Sequence, residues 1–225
     1  MRSDWWRGHY LFHMHTPYTD GHLTVAEYVD FAENAGADTV IFLEHIRREP
    51  RYDVKRFSAE VQLAGNDGVV QSVLGFEAKL LPDGTLDISD EHLSAAAVIG
   101  IAEHKFPDNP GLLLEAFLQV VATYPRRWPK IDFVWVHPGL WYVKRGLALE
   151  QETLYRKMLE AARDAGILIE LSLRWGVLSP AMAATLSPES LVIGADAHTR
   201  SDLERWTAQF AVKVPATASG THQQD

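Results

Sequence analysis

The sequence predicts a single-domain α/β fold, a closed barrel of the TIM type built from seven strand–helix units. Seven short, nearly continuously apolar segments, rich in β-branched and aromatic residues, alternate with segments of helical periodicity. No low-complexity linker interrupts residues 9–210. Ligand-type histidines and carboxylates recur at the C-terminal ends of six of the seven apolar segments. An open sheet would spread six strand ends along a line, whereas a closed barrel gathers them over one mouth. That mouth carries the active site in barrels of this kind.

Taken in order, residues 1–8 read as an N-terminal extension, and the first strand is Tyr10–His15. Side chains alternate along a strand, so His13 and His15 point the same way, and Asp20 follows within one turn. Thr24-Val25-Ala26-Glu27 is a capping-box start for a helix that Gly36 stops. Strands follow at Thr39–His45 and Ser72–Lys79, with a helix at Asp53–Ala64 between them and a tight turn at Pro82-Asp83-Gly84. The fourth strand, Ala97–His104, leads to a helix at Leu112–Tyr124 that Pro125 closes. After the strand Asp132–His137, the segment Glu150–Ala165 carries Leu154, Met158, Leu159 and Ala162 at helical spacing and ends at Gly166. Strands at Ile167–Leu173 and Leu191–His198 alternate with helices at Pro180–Leu186 and Ser201–Phe210. Residues 211–225, ending in the small and polar Ala216–Asp225, read as a flexible tail.

Composition narrows the chemistry. The 225 residues include no cysteine, which excludes disulfides and thiolate metal sites. Any metal must sit on nitrogen and oxygen, a donor set that suits Zn, Mn, Fe or Mg. A formal charge of -9 argues against general nucleic-acid binding, which needs a broad basic face. No apolar run reaches the roughly 20 residues that cross a bilayer. The first eight residues lack the apolar region of a secretory signal, so the cytoplasm is the expected location.

The strand-end residues are His13, His15, His45, Glu77, His104, His137, Asp196 and His198, with Asp20 in the first loop. A lone histidine is more often a packing residue than a ligand. Nine such residues converging on one face are a different matter, and they suffice for two or three metals sharing a bridging carboxylate.

The chain resembles the PHP (polymerase and histidinol phosphatase) superfamily. The matching motifs are His13-Met14-His15 with Tyr18-Thr19-Asp20-Gly21, Leu43-Glu44-His45, Gly75-Phe76-Glu77, Ala102-Glu103-His104, Val136-His137-Pro138-Gly139 and Gly194-Ala195-Asp196-Ala197-His198. They cover residues 10–198 in the family's order. The resemblance implies a distorted (β/α)7 barrel with two or three divalent ions, taken as Zn, Mn or Fe. It implies that His13, His15, Glu77 and Asp196 hold one metal. Glu77 would bridge to a second, completed by His104 and His137, and Asp20, His45 and His198 would hold a third. The family's second motif usually reads Thr-Asp-His, so any orienting role of that Asp falls here to Glu44. Its last motif usually reads Ser-Asp-Ala-His, and Ala195 stands in the serine position.

The expected reaction is phosphoester hydrolysis of a small phosphorylated molecule, with Glu77, Asp196 and His198 as catalytic residues. A metal-bridging hydroxide would attack phosphorus while the third metal holds a non-bridging oxygen. A phosphomonoester such as histidinol phosphate and a nucleotide-type phosphodiester both remain open. Amidohydrolase-like cleavage of a C–N or C–O bond is the alternative, although the bridging ligand there is usually a modified lysine. A non-catalytic, metal-binding barrel ranks below both.

Arg47, Arg48 and Arg51 follow the second strand, and Lys79, Lys105 and Arg174 sit just past other strand ends. All are placed to reach a substrate anion. Glu170 and Ser172 are candidates to orient metal-bound groups, and Trp141 and Trp175 are candidate pocket walls. His22 is an alternative ligand to Asp20, whereas His9 and His92 read as surface or packing residues.

Overall fold

The computed structural model describes residues 5–66, 68–149 and 153–213. Seven parallel strands run in sequence order: β1 (Tyr10–Met14), β2 (Thr39–Ile46), β3 (Gln71–Lys79), β4 (Val98–Ala102), β5 (Asp132–Trp135), β6 (Leu168–Ser172) and β7 (Leu191–Gly194). The seventh returns to the first. Ala195 N–H donates to Phe12 O (3.0 Å), Ala197 N–H to His13 O (2.9 Å) and His15 N–H to Ala197 O (3.0 Å). The expected seven-stranded α/β barrel is therefore the observed one, closed at the level of the ligand-type residues.

Alternation sorts the strand side chains into two layers. Tyr10, Phe12, Ile41, Leu43, Val73, Val98, Val134, Val136, Leu168 and Val192 fill the interior. The intervening residues, such as Leu11, Phe42, Phe76, Ile101 and Trp135, pack outward against the helices. Trp5, within the presumed extension, belongs to the interior: it stacks on Phe12 with ring centroids 5.1 Å apart, and its Nε1–H donates to Asp132 Oδ2 (3.2 Å).

The connecting helices are α1 (Val25–Asn34), α2 (Val54–Asn66), α3 (Asp90–Ala95), α4 (Pro110–Arg127), α5 (Leu140–Val143), α6 (Thr153–Asp164), α7 (Pro180–Ala183) and α8 (Arg200–Lys213). The capping box at α1 is present, with Thr24 accepting from Glu27 N–H and the Glu27 carboxylate accepting from Thr24 N–H (2.8 Å). Such a cap contributes about 1 kcal/mol. Three expectations change. Pro125 does not close α4, which runs on to Arg127, because a proline in the last turn forfeits only one intrahelical bond. In α6 the buried face is Tyr155, Met158, Leu159 and Ala162, so Tyr155 rather than Leu154 holds the first core position. The helix begun at Pro180 ends at Ala183 rather than Leu186. Residues 150–152, assigned above to a helix, and residues 214–225 lie outside the described residues, whereas 211–213, expected to begin the tail, continue α8. No helix among the described residues is long and apolar enough to cross a membrane.

Candidate metal centre

Five of the seven strands end earlier than expected, whereas β2 runs one residue further, to Ile46, and β3 ends at Lys79 as expected. His13, His45 and Glu77 lie on β1, β2 and β3, but His104, His137, Asp196 and His198 lie beyond the ends of β4, β5 and β7. The backbone bends sharply just where these side chains must turn inward. Among the described residues, the non-glycine residues with positive φ are His13 (76°), His137 (34°) and Asp196 (47°), and all three are candidate ligands. Such conformations are uncommon outside glycine and cluster at functional sites.

At His13 the bend corrects the simple alternation. Phe12 pairs with Ile41 and Met14 with Phe42, so His13 is the extra residue of a bulge. Tyr10 and Phe12 face the interior, and unbroken alternation would send His13 and His15 outward. The bulge resets the parity: Met14 packs outward and both histidines turn inward.

Glu77 is the hub, 2% exposed. Its Oε2 lies 3.0 Å from His45 Nδ1, 3.5 Å from His13 Nε2 and 3.5 Å from His15 Nε2. Its Oε1 lies 3.2 Å from His137 Nε2 and 4.0 Å from His104 Nδ1. Asp196 Oδ1 approaches His15 Nε2 (3.4 Å), His198 Nδ1 (3.5 Å) and His13 Nε2 (3.9 Å). At the rim, Asp20 spans two rings, with Oδ2 3.4 Å from His45 Nε2 and Oδ1 3.3 Å from His198 Nε2. Three groups of side chains able to hold a metal ion result: His13, His15 and Glu77; Glu77, His104 and His137; and His15, Asp20, His45 and His198.

The donor set fits divalent cations on a separate observation. His13 Nε2, both nitrogens of His15, His104 Nδ1 and His137 Nδ1 are buried without a hydrogen-bond partner. Buried polar atoms are ordinarily satisfied. Imidazole nitrogens gathered around a shared carboxylate at 3–4 Å are what a cation would complete.

Electrostatics agree. Burial opposes charge on His13, yet the Glu170, Asp196 and Glu77 carboxylates overcome it and hold its pKa well above the ordinary imidazole value. Burial likewise opposes His45, but Glu77 and Asp20 raise it to about 10. Glu77 is held well below the usual carboxylate range because the imidazoles of His45, His13 and His137 outweigh its burial. Asp20 is lowered by hydrogen bonds from His198 and His45. His104 is pushed down to about 3 by burial and then by the charge of His137.

A ring of buried groups fixes the candidate ligands. Glu170 on β6 accepts from His13 Nδ1–H (2.7 Å) and from His137 N–H. Gly194 makes room for it: an added Cβ would fall 1.7 Å from Glu170 Oε1. Glu44 accepts from Thr16 N–H (2.9 Å), Thr16 Oγ1–H and Thr19 Oγ1–H, which folds the Thr16–Asp20 loop over the mouth. Its Oε1 lies 3.8 Å from His15 Nδ1, so it braces the loop rather than bonding that ring. Glu103 and Asp202 did not stand out as single residues in the sequence. Glu103 accepts from Gly139 N–H (2.9 Å), Trp135 Nε1–H (3.0 Å) and Trp141 N–H (3.4 Å), fixing the turn after His137. Asp202 accepts from Thr199 N–H (2.9 Å) and His198 N–H (3.1 Å). The signals for them were a Glu preceding two of the ligand histidines, and an Asp three residues after Thr199.

The remaining candidates separate. Arg47, Arg51 and Lys79 line a cavity of about 550 Å³ beside His45, with Thr19, Glu49, Pro50 and Tyr52. Arg48 is not among the lining residues; its guanidinium donates to Thr85 Oγ1 (2.6 Å). Arg174 Nη1 donates to His198 Nδ1 (2.8 Å) and to Asp196 O (3.1 Å), bound to the ligand loop itself. Trp141 is no pocket wall, because its ring is 1% exposed, its Nε1–H donates to Phe106 O (3.0 Å) and Arg145 covers it at 4.0 Å. Trp175 is at the surface, and its Nε1–H donates to Asp196 Oδ2 (2.6 Å), leaving Oδ1 to the histidines. Ser172 Oγ is buried without a partner. Lys105 and His22 are exposed, and His22 lies outside the three groups.

A crystal structure of an amidohydrolase II is 13% identical, covers 92% of each chain and superposes with a TM-score of 0.48. The HpcH/HpaI aldolase from Desulfitobacterium hafniense DCB-2 is 12% identical over 94% of this chain and 95% of that one, with a TM-score of 0.46. No curated protein matches the sequence. The PHP domain family model matches residues 12–173, a span that holds His13, His15, Asp20, His45, Glu77, His104 and His137. The chain belongs to the PHP domain family.

Proposed function

We propose that the protein is a metal-dependent hydrolase of phosphoester bonds in a small phosphorylated substrate. The observation that carries this reading is Glu77, whose two oxygens divide five imidazoles into two groups, beside a cavity lined by arginine and lysine. His13, His15, Glu77 and Asp196 would hold one cation, Glu77, His104 and His137 a second, and Asp20, His45 and His198 a third. Divalent cations held there supply an acidified water and charge neutralisation for a phosphoryl group.

The chain's own residues do the rest. Glu170 fixes the ring of His13 through Nδ1 and so directs Nε2 at the centre. Trp175 and Arg174 engage Oδ2 and the carbonyl of Asp196, which fixes the rotation of its carboxylate. Glu44, Thr16 and Thr19 hold the loop that brings Asp20 between His45 and His198. The buried carboxylates would repel a phosphoryl group placed among them, which ties its binding at Glu77 to cation binding.

The test is hydrolysis of matched phosphomonoester and phosphodiester panels with added Mn²⁺ or Zn²⁺ and a chelated control. Chelator-sensitive turnover that Asp196→Ala abolishes supports the reading, and the preferred panel names the ester class. Full activity in Asp196→Ala refutes it. Absence of turnover with metal bound shifts weight to C–N or C–O hydrolysis.

A further inference from the structure

Building on the phosphoester reading, we infer that the substrate carries a second anionic group besides the scissile phosphoryl group, and that Arg47, Arg51 and Lys79 recognise it in the cavity beside His45. These three cations face one carboxylate in the lining, Glu49. Arg47 is partly neutralised, its Nε 3.4 Å from Asp87 Oδ2 and its Nη1 donating to Ile46 O (2.7 Å). Among the described residues neither Arg51 nor Lys79 has an ion-pair partner. Like charges held together in a cavity repel one another, and an anion between them removes that cost.

The scissile group need not supply this anion. His45 stands between the two regions: its Nδ1 faces Glu77 (3.0 Å), its Nε2 faces Asp20 (3.4 Å), and its ring also lines the cavity. A phosphoryl group held at Glu77 and its histidines would have the cations there as its counter-charges, so the positive charge of Arg47, Arg51 and Lys79 beside His45 is open to a second anion. Guanidinium groups take carboxylate or phosphate in a fork, and an ammonium adds a point charge, so either anion fits. A substrate whose remainder is neutral or cationic leaves these charges unpaired and is discriminated against.

The experiment uses the metal-loaded protein on propyl phosphate, 3-phosphooxypropionate and propane-1,3-diol bisphosphate. The two-anion compounds are expected to show kcat/KM at least about tenfold above propyl phosphate, and the carboxylate and phosphate arms tell which second group is preferred. In Arg51→Gln and Lys79→Gln that ratio falls about tenfold, through KM rather than kcat. Equal turnover of all three compounds, or an equal loss on all three in the variants, overturns the inference. Absence of turnover on any phosphoester defeats the phosphoester reading instead, and a binding measurement then decides the cavity. Inorganic phosphate titrated calorimetrically into chelator-treated protein should bind, and Arg51→Gln should weaken it about tenfold. No binding, or binding that neither variant changes, overturns the inference.

Discussion

Replacing Gly194 by alanine adds one methyl group at the point where the site has no room for it. The new Cβ would lie 1.7 Å from Glu170 Oε1, 2.5 Å from Cδ and 2.7 Å from Cγ, all far inside contact distance. Glu170 is fully buried and cannot swing into solvent. Its displacement breaks the bond from His13 Nδ1 (2.7 Å) and the bond from His137 N–H. Each buried donor left unmet costs about 1–3 kcal/mol, so the variant should lose about 2–6 kcal/mol. At about 2–4 °C per kcal/mol for a domain of this size, the thermal midpoint should fall by about 4–24 °C. Metal affinity should fall by about 10–100-fold, because His13 and His137 lose their orienting partner. Thermal unfolding by circular dichroism in chelator, and competition with a chromophoric chelator for Zn²⁺, measure the two effects. Gly146→Ala is the control: unlike Gly194 it has a positive φ (71°), so a side chain there strains the backbone, but an added Cβ meets nothing within 4 Å and any loss is backbone strain alone. If Gly194→Ala matches Gly146→Ala in both measurements, the packing argument for Glu170 is wrong.

Other perturbations reach the same centre from different sides. Glu77→Gln should cut bound metal by at least one equivalent per chain in elemental analysis and lower turnover by at least about 100-fold, because both buried groups share that carboxylate. Trp175→Phe keeps an aromatic ring but removes the donor to Asp196 Oδ2, and should weaken metal binding by about 10-fold or more in the same competition assay. Asp202→Ala leaves the N–H groups of His198 and Thr199 without their acceptor and should cost about 0.5–2 kcal/mol in urea unfolding. In the metal-free chain, His45, with its pKa raised to about 10, contributes stability that is full below 6.5 and lost as the pH rises through 10. A cation needing the neutral ring must displace that proton, so apparent affinity should rise about tenfold per pH unit across the window, and a flat profile between pH 7 and 9 would refute the coupling.

The barrel was legible because its signals are local and repeated: apolar strands, intervening helical periods, and His45 and Glu77 at the ends of β2 and β3. Strand parity was not. Nothing in Tyr10-Leu11-Phe12-His13-Met14-His15 marks the bulge, because the bulge is fixed by pairing with β2 and β7. The reach of Arg48 and the burial of Trp141 depend on Thr85 and Phe106, which are distant in sequence, so position after a strand end did not decide them. Glu44 and Glu103 show the intermediate case. Each directly precedes a ligand histidine, so alternation turns the histidine inward and the carboxylate outward. Which donors each carboxylate collects depends on loops that only the closed barrel brings near.

These details bear on why the fold suits bound cations. The turned backbones of His13, His137 and Asp196 each carry a conformational cost of about 1 kcal/mol or more. Their side chains join His15 and His104 in a space where five ring nitrogens lack a hydrogen-bond partner. A chain folding only for its own stability would gain by filling that space with apolar side chains, as the ten interior residues below it do. The costs are instead concentrated on residues whose lone pairs converge on one carboxylate. A cation binding the folded chain and not the unfolded one returns that energy as stability. The same concentration explains the outer ring of Glu44, Glu103, Glu170 and Asp202: with the ligands strained, their loops must be held by bonds that do not depend on the cation. The bulge at His13, the space at Gly194 and the buried carboxylate of Glu170 are therefore parts of one arrangement, in which the barrel supplies the rigidity that the ligands themselves lack.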